Sequence, residues 1–315
     1  MATSTSITTT YAGQFAGEYI GAALLSGNTL ANQLITVKPN IKLKEVIKKV
    51  DYTSAIANAT CGFTDTGAVT LTERILAPKE LQVNLELCKT PFQSDWEAES
   101  MGFSAHDSLP PKFSVFFIAK VSADVAAATE TSIWSGTAGA GTFDGFSTLF
   151  ADAQFATDGG TVLTPATITP SNVIAALGQV VDAIPSSLYN KEDMLIYVSQ
   201  NIARAYVRAL GGFGSFLNGE NNSGVNAQGT MWYNGGAGLS FDGVKIVVAN
   251  GLADNRMVAS QASNLFFGTG LLSDHNELKL LDMADLDGSK NVRFVMRYTA
   301  GVQYGIASDI VYYGA

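Results

Sequence analysis

The sequence predicts an α+β fold, in which strands and helices follow one another without the regular alternation of a parallel α/β sheet. Three observations carry this prediction. Residues 52–92 alternate like strands around turn signals, residues 112–135 have the spacing of a long helix, and residues 291–315 alternate like strands again. The chain contains no internal repeat.

Composition narrows the functional classes. The chain has 315 residues, a formal net charge of −9, 47% hydrophobic residues and only 15% charged residues. Such a composition excludes a disordered chain, a disulfide scaffold, a transmembrane helix and a basic, sequence-reading DNA binder. Because exposed apolar surface usually marks interfaces, we expect much of the surface to contact other subunits. The length predicts two subdomains.

Residues 1–33 are predicted to form an N-terminal arm, because Ser, Thr and other small residues dominate them. Such a segment stays disordered unless another surface holds it, so a frayed terminus and an arm docked on a neighbouring subunit both remain open. The first residues are not expected to form a signal peptide. We therefore expect Cys61 and Cys88 to be thiols in a reducing compartment, with a disulfide between them as the alternative.

The next segment, IKLKEVIKKV at 41–50, is the most basic in the chain. Contact with nucleic acid is one interpretation. The favoured interpretation is a solvated lysine face opposite a buried apolar face. The lysines are Lys38, Lys42, Lys44, Lys48 and Lys49, and the apolar residues are Ile41, Leu43, Val46 and Ile47.

Residues 52–92 predict a long β-hairpin. Turn signals occur at Asp65 and Gly67, and the segment KELQVNLELCKT places apolar and polar residues on alternate faces. Alternation with period two indicates a half-buried strand, which Pro78 and Pro91 bracket. A lone hairpin of this kind needs support from another surface.

The clearest predicted helix spans residues 112–135. Prolines precede it and Gly136 follows it, which is the usual asymmetry of helix ends. Mixed elements follow, and residues 212–240 form a long loop that we expect to be functional or mobile. The expected elements are a helix at 171–183 capped by Ser171, with Val173, Ile174, Leu177, Val180 and Val181 on one face, a strand at 194–198, a helix at 200–210 capped by Ser199, a strand at 243–249 and a closing hairpin that turns at Thr299–Gly301.

Sequence motifs for catalysis are missing. His106 and His275 are the only histidines, and each is expected in a loop. No nucleophile elbow, phosphate-binding loop or zinc-ligand spacing occurs. The segment DLDGSKN at 285–291 lacks the later acidic ligand of a calcium loop, so a tight turn is expected there. We predict no catalytic, cofactor or metal residues.

In this order, the elements resemble the major capsid proteins of tailed phages, which have the HK-97-like fold. An arm and an extended two-stranded loop come first. A spine helix follows in FFIAKVSADVAAATETSIWSG, with Glu130 and Gly136 where that family often has an acid and a glycine. After it come the Gly-rich stretch GTAGAGTFDGFSTLF and the segments VIAALGQVVDAIP, DMLIYVS, QNIARAYVRAL, VKIVVAN and VMRYTAGVQYGIASDIVYY. The resemblance covers essentially the whole chain, although no single motif is specific.

The resemblance implies a division of the chain into an arm and two subdomains. The expected parts are the arm at 1–33, a basic segment and extended β-hairpin loop at 34–92, a peripheral subdomain at 93–165 and 282–304 with the spine helix at 112–135, and an axial subdomain at 166–281 and 305–315. With the spine helix beginning near residue 112, no room is expected for an N-terminal scaffold domain.

The resemblance also implies a structural role and not an enzyme. Pentamers and hexamers would assemble into an icosahedral shell that encloses phage double-stranded DNA without sequence-specific binding. Scaffolding, portal and decoration proteins are the possible further partners, and no membrane is involved. The protein would assemble in the host bacterial cytoplasm and would then be part of the virion capsid. Expected inter-subunit contacts are Lys42, Lys44, Lys48, Lys49, Arg74, Lys79 and Glu80.

Some members of that family form a Lys–Asn crosslink. Lys79 is a candidate by position only, and an uncrosslinked shell is the favoured expectation. Three alternatives to a phage capsid remain open. An encapsulin-type bacterial compartment shares the fold, a soluble α+β enzyme would need an unrecognised active site, and an exported surface-layer protein would need a signal peptide.

Overall fold

A computed structural model describes residues 28–53, 58, 61, 68–88, 111–189, 191–210, 239–270, 279–283 and 288–314. Residues 1–27 of the expected arm, both histidines, most of the loop at 212–240 and part of DLDGSKN lie outside these residues. The helices are α1 Asn28–Ala31, α2 Pro111–Ser135, α3 Phe146–Ala151, α4 Ala153–Thr157, α5 Val173–Asp182 and α6 Gln200–Leu210. The strands are β1 Thr36–Lys38, β2 Glu45–Thr53, β3 Ala68–Leu76, β4 Lys79–Cys88, β5 Thr161–Leu163, β6 Met194–Val198, β7 Ser240–Phe241, β8 Val244–Val248, β9 Met257–Gln261, β10 Leu265–Gly268, β11 Lys279–Asp282, β12 Asn291–Tyr304 and β13 Val311–Tyr313.

Helix α2 confirms the predicted spine helix to within one residue. Its first residue is Pro111, whose missing N–H costs nothing in the first helical turn. Its carboxyl end lies in the core, where Ile133 and Trp134 are fully buried. Gly136 follows the helix directly, and it allows a close approach of the chain, because a Cβ there would lie 2.3 Å from the carbonyl oxygen of Phe143.

A six-stranded mixed sheet has the order β5-β13-β9-β6-β8-β7. Its strand β6 is buried at every position, because both faces of the sheet are covered. Leu195 and Tyr197 point into one core with α2, whereas Ile196 and Val198 point into a second core with α5 and α6. The predicted strand at 194–198 and helix at 200–210 are therefore confirmed.

Strand β12 organises a second, five-stranded sheet. It pairs with β4 from Asn291↔Cys88 to Ala300↔Lys79, and with β11 and β10 along shorter stretches. Strand β1 adds a parallel edge beside β10. Strand β10 thus joins the sheet of β12 although it lies in the range expected for the axial subdomain, and β5 joins the six-stranded sheet although it lies in the range expected for the peripheral one.

Two strand predictions were wrong. The strand at 79–88 pairs with β12 and not within the hairpin, which β2 and β3 form by themselves. The predicted turn at Thr299–Gly301 does not exist, because β12 runs straight through it to Tyr304. Gly301 serves close packing instead of turning, since a Cβ there would lie 2.9 Å from the Cα of Pro78.

Helix α5 also differs in detail from its prediction. It begins at Val173, and Asn172 is the residue before it. Ser171 does not cap the helix, since its hydroxyl contacts that of Thr169 at 2.9 Å. Ile174 is half exposed, since it lies at the edge of the buried stripe. Ser199 does precede α6, but its hydroxyl donates to Asn201 Oδ1 at 2.6 Å.

We expect opposite effects from alanine at two glycines. At Gly251 a Cβ would lie 2.0 Å from the carbonyl oxygen of Glu130 in α2, whereas at Gly178 in α5 it would meet nothing within 4 Å. Gly251→Ala should lower the free energy of unfolding by about 2–3 kcal/mol through overpacking. Gly178→Ala should raise it by about 0.5–1 kcal/mol, since alanine favours helix. Urea denaturation of the two variants measures both changes, and equal effects would contradict the packing at Gly251.

Candidate subunit-contact surface

The described part of the chain offers no group of three or more His, Cys, Asp or Glu side chains that could hold a metal ion. Cys61 and Cys88 are exposed thiols and do not form a disulfide. No helix in the described ranges is long and apolar enough to cross a membrane. The most unusual surface lies elsewhere, on the hairpin of β2 and β3.

The hairpin has two unlike faces. Nine register pairs join β2 to β3, from Glu45↔Leu76 to Thr53↔Ala68. Because side chains alternate along a strand and opposed residues share a face, Val46 and Val50 lie on the same face as their partners Ile75 and Leu71. We call this the outer face, and the other face, which carries Arg74, the inner face.

The outer face is apolar and exposed to solvent. Its centre is the opposed pair Lys48 and Glu73, whose unlike charges favour the register. Aliphatic side chains surround this pair, and their exposed fractions are Val46 42%, Val50 59%, Val69 74%, Leu71 61% and Ile75 49%. Several exposed aliphatic side chains on one face are typical of a protein–protein contact.

The prediction that the apolar residues of 41–50 form a buried face is therefore wrong in part. Ile41 is buried, but Leu43 is 83% exposed and Val46 belongs to the outer face. The hydrophobic pattern predicted burial within the chain, yet the described residues leave these side chains uncovered. Lys42, Lys44 and Lys48 are exposed, but Lys48 lies on the outer face with Val46, and Lys49 lies on the inner face. The lysines therefore do not form one face opposite the apolar residues.

The inner face joins the hairpin to the rest of the molecule. Leu76 is fully buried, and a Cβ on Gly268 would lie 2.9 Å from both Leu76 Cδ2 and Ile41 Cδ1. Arg74 forms an ion pair with Asp158, which follows α4. The guanidinium of Arg74 also lies 4.0 Å from the ring centre of Tyr304. The hydrogen bonds with Gln154 and Arg74 hold the pKa of Asp158 below its usual range, and Lys49 adds a weaker effect.

Lys79 and Glu80 lie just beyond the base of the hairpin, where β4 begins. Lys79 Nζ donates to the carbonyl oxygen of Thr142 at 2.9 Å and to that of Gly139. This lysine thus fastens the glycine-rich turn after α2 to β4. The contacts made by Arg74 and Lys79 are intramolecular, and a role for any of the seven expected residues between subunits stays a prediction.

A buried carboxylate holds the chain before the hairpin against α2. The backbone N–H of Thr29 donates to Glu130 Oε2 at 3.1 Å, and the hydroxyl of Thr29 donates to Glu130 Oε1. Trp134 Nε1 donates to the same hydroxyl at 2.7 Å. Burial raises the pKa of Glu130, although hydrogen bonds from Thr29, Gly251 and Trp134 act against the shift. Residues 28–33 of the expected arm thus dock on the body of their own chain.

Sequence reasoning missed the partners in these contacts. Glu130 was singled out only by resemblance, and nothing in the local sequence connects it to Thr29, which lies 101 residues away. Asp158 and Tyr304 carried no signal either, because an ion pair and a ring contact across distant elements leave no periodic pattern. Arg74 was expected as a contact residue, but not with these partners.

No family model and no curated protein matches the sequence. Solved structures do match. The capsid of an empty GTA particle has 16% identity over 95% of this chain and 94% of that chain, with a TM-score of 0.60. Gordonia phage Cozz has 13% identity over 94% and 88%, with a TM-score of 0.59. The capsid of cyanophage P-SCSP1u has 16% identity over 99% and 95%, with a TM-score of 0.53. The chain therefore has the HK-97-like α+β fold of phage capsid proteins.

The buried Glu130 predicts a specific pH dependence. Because burial raises its pKa, the folded state binds a proton more readily than the unfolded state. The stability linked to this proton is fully present below the unfolded value of 4.5 and is lost as the pH rises through the raised pKa. Glu130→Gln cannot ionise but offers one acceptor oxygen where the carboxylate offers two, so only the pH-dependent part of its effect has a defined sign. The free energy of unfolding of Glu130→Gln should rise relative to that of the wild type as the pH increases from 4.5 to 8. Urea denaturation across this range measures it.

Glu130→Ala is the control for this prediction. It leaves the N–H and hydroxyl of Thr29 without their acceptor, so it should cost about 1–3 kcal/mol at every pH. A difference between wild type and Glu130→Gln that does not change with pH would contradict the account of Glu130.

Proposed function

We propose that this chain is a major capsid protein, a structural subunit of a phage-type icosahedral shell. The observation that carries the proposal is the exposed apolar outer face of the hairpin in a chain with the fold of phage capsid proteins. A surface of this kind needs a partner, and a shell supplies one at every subunit.

The energetics support a second copy of the chain as that partner. A two-stranded hairpin is marginally stable by itself, and only the inner face of this one contacts the described body. Covering the exposed parts of its five aliphatic side chains would contribute about 1 kcal/mol each, hence about 5 kcal/mol per hairpin. Head-to-tail contacts that repeat around a closed ring bury every such hairpin in the same way.

The larger assembly follows from this contact. Pentamers and hexamers would form the shell, and the two sheets with their helices would correspond to the peripheral and axial subdomains. Particles would assemble in the host bacterial cytoplasm and remain as the virion capsid. Separate scaffolding, portal and decoration proteins are the further partners that we expect.

We propose that the shell encloses double-stranded DNA without reading its sequence. Phosphate contacts depend on Lys and Arg, and a chain with a net charge of −9 would bind packaged DNA only weakly. DNA that stays on the inner wall at high salt would contradict this part of the proposal.

A phage-type shell is favoured over an encapsulin-type compartment. Three solved structures that are similar to this chain, with TM-scores of 0.53 to 0.60, are those of a GTA particle and of phages, and they support this choice.

The test of the proposal is the size and content of the particles. The full chain, produced alone and with phage scaffolding proteins, is separated by size-exclusion chromatography and imaged by negative-stain electron microscopy. Hollow shells or rings of subunits are expected. A stable monomer under all conditions would overturn the proposal, and shells that enclose an enzyme would indicate the encapsulin alternative.

A charge on the outer face should block assembly without unfolding the subunit. Leu71 is 61% exposed, so Leu71→Asp should lower the stability of the isolated chain by no more than about 1 kcal/mol, the range of strand propensities. In an interface, the same carboxylate would be buried without a partner, and shells should not form. Light scattering and electron microscopy measure assembly, and circular dichroism measures folding. Leu71→Ile is the matched control and should assemble normally. Normal shells from Leu71→Asp would show that the outer face is not a contact.

A further inference from the structure

The joint between hairpin and body depends on one cluster of three side chains from separate elements. Arg74 comes from β3, Asp158 follows α4, and Tyr304 ends β12. The guanidinium forms an ion pair with Asp158 and lies 4.0 Å from the centre of the Tyr304 ring. A charge pair and a cation–π contact on the same guanidinium fix its plane as well as its position.

The cluster is itself held in place. Gln154 Nε2 donates to the second carboxylate oxygen of Asp158 at 2.8 Å, which orients the carboxylate towards Arg74. Tyr304 is buried, and its ring contacts Phe150 and Phe155 at centroid distances of 5.6 and 5.4 Å. The side chains of Arg74 and Asp158 are 21% and 33% exposed, so the pair lies at the edge of the solvent and the Tyr304 ring shields one side of it.

Beside this cluster the hairpin and the body are separated. A groove of about 540 Å³ lies between them, and Ile47, Thr72, Gln154, Gly305 and Ala307 are among the residues that line it. Near the base, Gln303 Nε2 donates to the carbonyl oxygen of Ile75 at 3.1 Å. The inner face is thus held by contacts at the base and by Arg74, and the positive charge of Lys49 also acts on Asp158. Open space lies along part of this face.

We propose that Arg74, Asp158 and Tyr304 form a latch that sets the angle of the hairpin relative to the body. While the latch is closed, the outer face is presented in one orientation. When it opens, the hairpin turns about its base, where Leu76 remains buried, and the groove gives it room to move. The importance of this angle for assembly rests on the proposed function, since the outer face would meet a second copy in an orientation that the latch selects.

The latch can be tested without any assembly. Spin labels are placed at Lys48→Cys on the outer face and at Ile174→Cys on α5, with Cys61→Ser and Cys88→Ser to remove the native thiols. Labelled chains are diluted into an excess of unlabelled chains, so that pulsed electron paramagnetic resonance measures only the distance between the two labels of one chain. Ile174 and Lys48 are exposed, so the labels should leave the latch intact.

One narrow distance distribution is expected with the latch intact. Arg74→Ala should broaden it roughly twofold or shift its mean, because the hairpin then samples several angles. Asp158→Asn is a milder variant that keeps an acceptor for Gln154, and it keeps the test decisive if Arg74→Ala folds poorly. Arg293→Ala is the matched control, since it removes the ion pair with Glu86 between β12 and β4, away from the joint.

A distribution that stays narrow and unshifted in both Arg74→Ala and Asp158→Asn would overturn the latch. So would equal broadening in Arg293→Ala, because the effect would then not be specific to the joint. The outcome is separable from the proposed function. If Arg74→Ala broadens the distribution but the wild-type chain never forms shells, the latch is supported and the proposed shell is contradicted. If the wild-type chain forms shells but the variants leave the distribution unchanged, the shell is supported and the latch is contradicted.

Discussion

The carboxyl-terminal turns of α2 are the contact on which the rest of the molecule depends. Here Ile133 and Trp134 enter the core shared by the two sheets, and Glu130 receives the chain that leads into β1. Gly251 packs against the backbone of the same turn so closely that no side chain fits. The hydroxyl of Ser135 adds a hydrogen bond to the carbonyl of Gly251 at 2.8 Å. One helix end therefore fixes the position of both sheets and of the segment that precedes the hairpin.

This rigid centre explains why the hairpin can stay uncovered within its own chain. The strands β2 and β3 extend from a base at Leu76 that belongs to the body, so the register of the hairpin does not require its outer face to be buried. Its aliphatic side chains remain available for another molecule. The inner face of the two strands thus stabilises the subunit, and the outer face is available for contacts between subunits.

Local patterns predicted those elements whose burial is decided within the chain. Helix α2 and strand β6 follow from periodicity and end signals, because their neighbours only need to be apolar. The partner of β4 could not be predicted, since alternation reports a buried face but not which strand lies beside it. The glycine at 301 predicted a turn, but its role is to let the backbone of Pro78 pack closely against β12. At Val46 the hydrophobic pattern predicted burial within the chain, whereas we expect this side chain to be buried against another subunit. The partners of Glu130 and Arg74 needed the folded chain, because each joins residues distant in sequence.

Hydrogen exchange measured on unassembled and assembled protein tests the central claim most directly, that the outer face is a surface between copies. The amides of β2 and β3 should exchange fast in the unassembled chain and become protected on assembly, because exposed hairpins open easily and covered ones do not. The amides of β12 at the centre of its sheet should be protected in both states and serve as the internal reference. Exchange at β2 and β3 that is equally fast before and after assembly would contradict the account.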